Sequence, residues 1–129
     1  MAITDKMSAN NTTSESTHVM GQQAEDKAAR FLEKRGLLVL TRNFRCRGGD
    51  IDLICRDRNA VVFVEVRRRR NADYGGAGAS ITLTKQRRII LAAQHYLLAN
   101  AKANTDCRFD CVLLEGETIE WIRDAFSAD

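Results

Sequence analysis

The sequence predicts one α/β domain with a mixed β-sheet and the element order αβββαββ. Three observations lead there. Two segments repeat apolar residues at helical spacing, and five short segments rich in Val, Ile, Leu and Phe are bounded by turn residues. At 129 residues with 44% hydrophobic content, the chain suits one core and leaves no room for a second.

The first helix is expected from Gly21 to Arg35, with Ala24, Ala28, Phe31 and Leu32 on one stripe and Gly36 as its stop. Strands follow from Leu37 to Phe44, from Asp50 to Arg56 after a Gly48-Gly49 turn, and from Val61 to Arg67 after Asp57-Arg58-Asn59. A glycine-rich loop, Tyr74 to Gly78, leads to a second helix from Thr84 to Ala101. Thr84 is expected as its N-cap, and Ile89, Ala92, Ala93, Tyr96 and Leu97 face inward. The loop lacks the spacing of a phosphate-binding glycine motif. Two last strands, Arg108 to Leu114 and Thr118 to Ile122, pair across Glu115-Gly116-Glu117. Residues 1–19 carry a polar Ser/Thr/Asn cluster with little to bury and read as a disordered leader, so the domain is expected over residues 20–129.

No apolar run approaches the length of a membrane span or a secretory signal, and a cytoplasmic protein away from membranes is expected. Cys46, Cys55, Cys107 and Cys111 form no CxxC pair and have no matching histidines, which argues for reduced structural thiols over a zinc site. Charge is unevenly spread: residues 20–114 hold 18 Lys+Arg against 10 Asp+Glu, whereas the last fifteen residues hold five acids and one base. A basic domain surface favours a polyanionic partner, although a solvated arginine-rich surface would give the same count.

Alternation along the second strand puts Asp50 and Asp52 on one face and Ile51, Leu53 and Cys55 on the other. On the third strand, Phe63, Glu65 and Arg67 share a face. A turn at Arg58-Asn59 then sets Asp52 opposite Glu65 and Asp50 opposite Arg67. Two opposed carboxylates among apolar neighbours are costly unless something neutralises them. A hard divalent cation does so and keeps positions open for phosphate oxygens, and pairing with arginines is the structural alternative.

The segment Gly49-Asp50-Ile51-Asp52-Leu53-Ile54, followed by Phe63-Val64-Glu65-Val66-Arg67, resembles the (D/E)-x-K half of the PD-(D/E)xK nuclease-like fold. It is most similar to the bacterial YraN-type proteins, themselves similar to archaeal Holliday-junction resolvases. The likeness extends through Gly21 to Glu25, Arg42-Asn43, Lys85-Gln86 and Arg108-Phe109-Asp110. It implies a restriction-endonuclease-like core and Mg²⁺ or Mn²⁺ held by Asp52 and Glu65, with Glu25 of the first helix approaching the same site. It also implies DNA as substrate, in branched or flapped form, and allows a homodimer.

Arg67 departs from that pattern, which has lysine there. Arginine stays protonated and stabilises negative charge but does not activate water as a lysine of shifted pKa does. Asp52, Glu65 and Arg67 are therefore the expected catalytic residues of a metal-dependent endonuclease or phosphodiesterase. The competing expectation is a non-catalytic nucleic-acid-binding or adaptor module on the same fold. Arg68, Arg69, Arg70, Lys85, Arg87 and Arg88 are expected to grip phosphates in either case. His95 is read as a helix-face residue, and Phe109 and Trp121 as core.

Overall fold

The computed structural model describes residues 13–69, 81–100 and 104–128. Its elements are α1 (Thr13–Lys34), β1 (Leu38–Cys46), β2 (Gly49–Asp57), β3 (Ala60–Arg68), α2 (Leu83–Ala99), β4 (Cys107–Glu115) and β5 (Thr118–Phe126). The order is the one the sequence predicts. The glycine-rich loop at residues 74–78 lies outside the described residues, as does Arg70.

The strands form one five-stranded sheet in the order β1-β2-β3-β4-β5. All neighbours are antiparallel except β3 and β4, whose parallel pairing is made possible by the crossover through α2. Each face of the sheet is covered by one helix. Ala28, Ala29 and Leu32 of α1 pack with Leu37 on Leu53, Cys55, Val62, Val64 and Val112. Ile89, Ala92, Ala93 and Tyr96 of α2 pack on Ile51, Ile54, Val61, Phe63, Phe109 and Cys111. Burial on both faces explains why the middle strands read as continuous apolar runs, with Leu53, Ile54 and Cys55 all buried.

Most boundaries lie within one or two residues of expectation, and three differences are larger or change a cap. Helix α1 begins at Thr13, inside the stretch read as a leader. Helix α2 is capped by Thr82 in place of Thr84: Thr82 is extended, and its Oγ1 accepts from the Lys85 N–H at 3.1 Å. Strand β5 runs four residues further than expected, to Phe126, whose ring stacks on Phe109 at 4.8 Å. That stacking lends the extra length a core contact.

A bulge in the β4–β5 pairing between Phe109 and Cys111 centres on Asp110, which is fully buried. Its carboxylate accepts from Arg108 Nε and Nη2 (2.9 and 3.0 Å), Trp121 Nε1 (2.9 Å) and the Asp124 N–H (2.9 Å). A buried anion needs this many donors to offset its lost hydration. Trp121 thus belongs to the half-buried wall of the α1-side core, as predicted, and Phe109 to the α2-side core. His95 is exposed on α2, and all four cysteines are free thiols.

Strict alternation fails at the start of β2. Ile51 joins Ile54 under α2, whereas parity would send it with Leu53 to the other face. The β2–β3 ladder ends at Leu53–Val64, so β2 is free to coil beyond that point. Gly49 draws it toward α2, since a Cβ there would lie 2.1 Å from the Arg88 carbonyl oxygen. Gly49→Ala is accordingly expected to force α2 away from β2 and cost about 2–3 kcal/mol of stability, measured by urea denaturation. Unchanged stability would show that the close approach is not required.

Candidate functional site

The carboxylates meet where β2 and β3 part. Leu53–Val64 is the last paired position. One step further, the Asp52 carboxylate replaces a backbone partner and accepts the Val66 N–H at 2.8 Å. Asp52 and Glu65 share a side-chain hydrogen bond, so the predicted register holds although its ladder stops just short of the pair. Asp50 does not face Arg67 across this opening; its paired partner is Arg45 on β1, because the coiled start of β2 stays with β1 and leaves β3.

Burial governs the electrostatics. The Glu65 side chain is only 11% exposed, and desolvation, followed by the Asp52 charge, raises its pKa to about 7. Asp52 is raised as well, first by desolvation, with the Val66 N–H acting against it. The chemically consistent arrangement without a cation has Glu65 protonated and donating to the Asp52 carboxylate.

Lys85 approaches the pair, with Nζ 3.8 Å from Glu65 Oε2 and a side chain 35% exposed. The first turn of α2, fixed by the Thr82 cap, carries it to the pair. Sequence reasoning assigned Lys85 to phosphate binding and did not place it at the carboxylates; linear distance from Glu65 concealed it. Glu25 of α1 is raised by partial burial and by the Asp52 charge, and Asn43 of β1 donates a side-chain hydrogen bond to it. Beside it, Asp26 pairs with Arg42. The Arg42-Asn43 step, with Asn43 at φ 52°, thereby anchors α1 against β1 and turns Glu25 toward the opening.

The basic residues separate. Arg67 is half-buried, and its charge reaches Glu65. Arg68 is exposed at the rim of a 280 Å³ cavity shared with Lys27. Arg69 is taken up by Glu115, through Nε at 3.2 Å and Nη2 at 2.7 Å, a fork that competes with its expected grip on phosphate. Arg87 and Arg88 are exposed on α2. Among the described residues, no three His, Cys, Asp or Glu side chains converge as a ready metal cage. Asp52 and Glu65 are the residues that could hold a cation there, and Mg²⁺ or Mn²⁺ would need only one or two such carboxylates, completing the shell with water and phosphate.

The fold and site define an α/β/α domain with a half-hidden acidic pair and a lysine at the opening of its central hairpin. Residues 24–114 match the family described as uncharacterised protein family UPF0102, and the chain belongs to that family. It is 62% identical over 124 residues to a UPF0102 protein of Dechloromonas aromatica (strain RCB), covering 96% of this chain and 98% of that one. A UPF0102 protein of Nitrosospira multiformis is 54% identical, with 84% and 93% covered, and one of Aeromonas hydrophila is 51% identical, with 82% and 83% covered. The YraN-type likeness is thus carried by the whole domain. No helix among the described residues is long and apolar enough to cross a membrane.

The raised pKa has a direct consequence. The folded protein binds the Glu65 proton more tightly than the unfolded chain does, so this contribution is fully present below the ordinary value of 4.5 and is lost as pH rises through about 7. Urea melts from pH 5 to pH 8 should show wild-type stability falling across that window and Glu65→Gln holding nearly level, ahead by about 1–2 kcal/mol at pH 8. Parallel profiles would mean that Glu65 is not held protonated by the fold.

Proposed function

We propose that this protein is a metal-dependent phosphodiesterase acting on DNA, with Asp52 and Glu65 as the seat of Mg²⁺ or Mn²⁺. The single observation that supports this reading best is the buried acidic pair at the end of the β2–β3 ladder, Asp52 and Glu65 in hydrogen-bond contact, with Lys85 at 3.8 Å. Once the shared proton is lost, two adjacent buried carboxylates repel, and a hard cation relieves that repulsion. Bound there, such a cation supplies Lewis acidity toward a phosphodiester.

The chain's own groups divide the remaining work. The Val66 N–H fixes Asp52, and the Asp52–Glu65 contact fixes both carboxylates before any ligand arrives. Lys85, reachable from solvent, donates from Nζ to a phosphoryl oxygen at the mouth of the site. It returns an ammonium to the neighbourhood where Arg67 stands in place of the pattern's lysine. Arg67 adds fixed positive charge beside Glu65. Arg68, Arg87 and Arg88 present forked donors to flanking phosphates. These donors suit phosphate, so the reading is recognition of backbone in branched or flapped form.

A second reading, a nucleic-acid-binding adaptor without catalysis, is favoured by Arg67 and by the absence of a three-carboxylate cage among the described residues. One screen separates the two: single-stranded, duplex, flapped and four-way DNA incubated with Mg²⁺ or Mn²⁺. Cleavage by the wild type is expected, with a loss of at least about 100-fold in Glu65→Gln and DNA affinity within about 3-fold of wild type. Lys85→Gln should lower the rate by about 10- to 100-fold without removing the Mn²⁺-induced rise in melting temperature. Binding without cleavage would support the adaptor, and cleavage undiminished in Glu65→Gln would exclude this site as its source.

A further inference from the structure

At the far end of β2, on the α1 side of the sheet, lies a second cationic feature. A cavity of about 520 Å³ is lined by Arg35, Gly36, Asp57, Arg58, Arg108 and Arg123. It stands roughly 17 Å along the strand from Asp52, at about 3.3 Å per residue, and shares no residue with the carboxylate site.

The four arginines are not equivalent. Arg108 is held by Asp57 at 3.2 Å and by the buried Asp110 at 2.9 Å, so its charge is compensated and it forms the floor. Arg35, Arg58 and Arg123 have no carboxylate partner among the described residues. Two of these three are nevertheless positioned. The Arg35 guanidinium lies over the Phe31 ring at 3.7 Å and that of Arg123 over the Trp121 ring at 4.1 Å. The two rings meet edge to face, 6.4 Å apart. Stacking occupies a guanidinium's face and leaves its in-plane N–H donors free for an anion.

Arg58 holds φ 58° in the turn between β2 and β3, where asparagine or glycine would sit at lower cost. Two carbonyls of the last turn of α1 are already engaged: Leu32 O accepts from Arg35 and Leu37, and Glu33 O from Gly36.

We propose that this cavity is a second, separate anion site that takes a phosphate-bearing ligand, with Arg35, Arg58 and Arg123 as its donors. Three uncompensated guanidiniums around a compensated fourth match clustered phosphate charge better than a single carboxylate. The chemistry is shared by the polyphosphate of a free nucleotide and the backbone of a nucleic acid. The site does not depend on catalysis at Glu65.

Inorganic pyrophosphate without divalent metal is the first probe, followed by calorimetry and thermal melts. Binding to wild type and Glu65→Gln is expected to be equal. Arg58→Asn, which keeps a residue tolerant of positive φ, should weaken it by about 3- to 10-fold with no loss of melting temperature, and Arg58→Asn with Arg123→Gln by more than about 10-fold. Failure of pyrophosphate to bind at millimolar concentration, or unchanged affinity in Arg58→Asn, overturns the proposal. A duplex of about 20 base pairs separates the sources. If pyrophosphate displaces it from wild type but not from the double variant, the site holds nucleic-acid backbone. If duplex binding ignores both pyrophosphate and the variants while pyrophosphate still binds as expected, it holds a free polyphosphate.

Discussion

The hydrogen bond from the Val66 N–H to the Asp52 carboxylate is the interaction on which the candidate site depends. In an uninterrupted antiparallel hairpin that amide would face a backbone carbonyl. Here a side chain takes its place, the strands part, and Glu65 is left beside Asp52 with neither fully hydrated. The opening admits the mouth of α2 with Lys85, and α1 brings Glu25 near enough to feel the Asp52 charge. One substitution of side chain for ladder therefore both ends the pairing and assembles the acidic centre.

The surrounding architecture keeps that opening in place from two sides. On one side, Gly49 lets the start of β2 lie against the Arg88 carbonyl and carries Ile51 into the α2-side core. On the other, Asn43 and Arg42 of β1 hold Glu25 and Asp26 of α1. At the distal end, Asp110 gathers Arg108, Trp121 and Asp124 and fixes the bulge between β4 and β5. The polar side chains are thus concentrated at the two ends of the sheet. The apolar middle needs only area and shape, whereas the ends need specific donors and acceptors.

Much of the architecture was legible in the sequence because the helical stripes, turn residues and apolar runs agree with one another. The Arg58-Asn59 turn sets the register that brings Asp52 and Glu65 together without any tertiary information. The helix starts were less legible: the sequence reading placed the α2 cap at Thr84, whereas the Thr82 hydroxyl is the one that accepts the Lys85 N–H. Alternation misplaced Ile51 since parity presumes a ladder, and the ladder is what the site interrupts. Lys85 and Asn43 lie 20 and 18 residues from the carboxylate each serves, and no periodicity links such positions. Among the basic residues, the charge of Arg69 was visible but its capture by Glu115 was not, because that pairing arises from the parallel contact of β3 with β4.

If the acidic pair is the seat of a divalent cation, the cation must reverse the electrostatics that burial imposes on it. Carbon-13 NMR titration of the Asp52 and Glu65 carboxyl groups, with and without Mg²⁺, measures this directly. The expected result is an upper titration near pH 7 without the ion. With saturating Mg²⁺, that titration should fall to the ordinary carboxylate range or below, about 4 or less. A titration that stays near 7 in the presence of Mg²⁺ would contradict a cation seat and leave the pair as a proton-sharing structural contact.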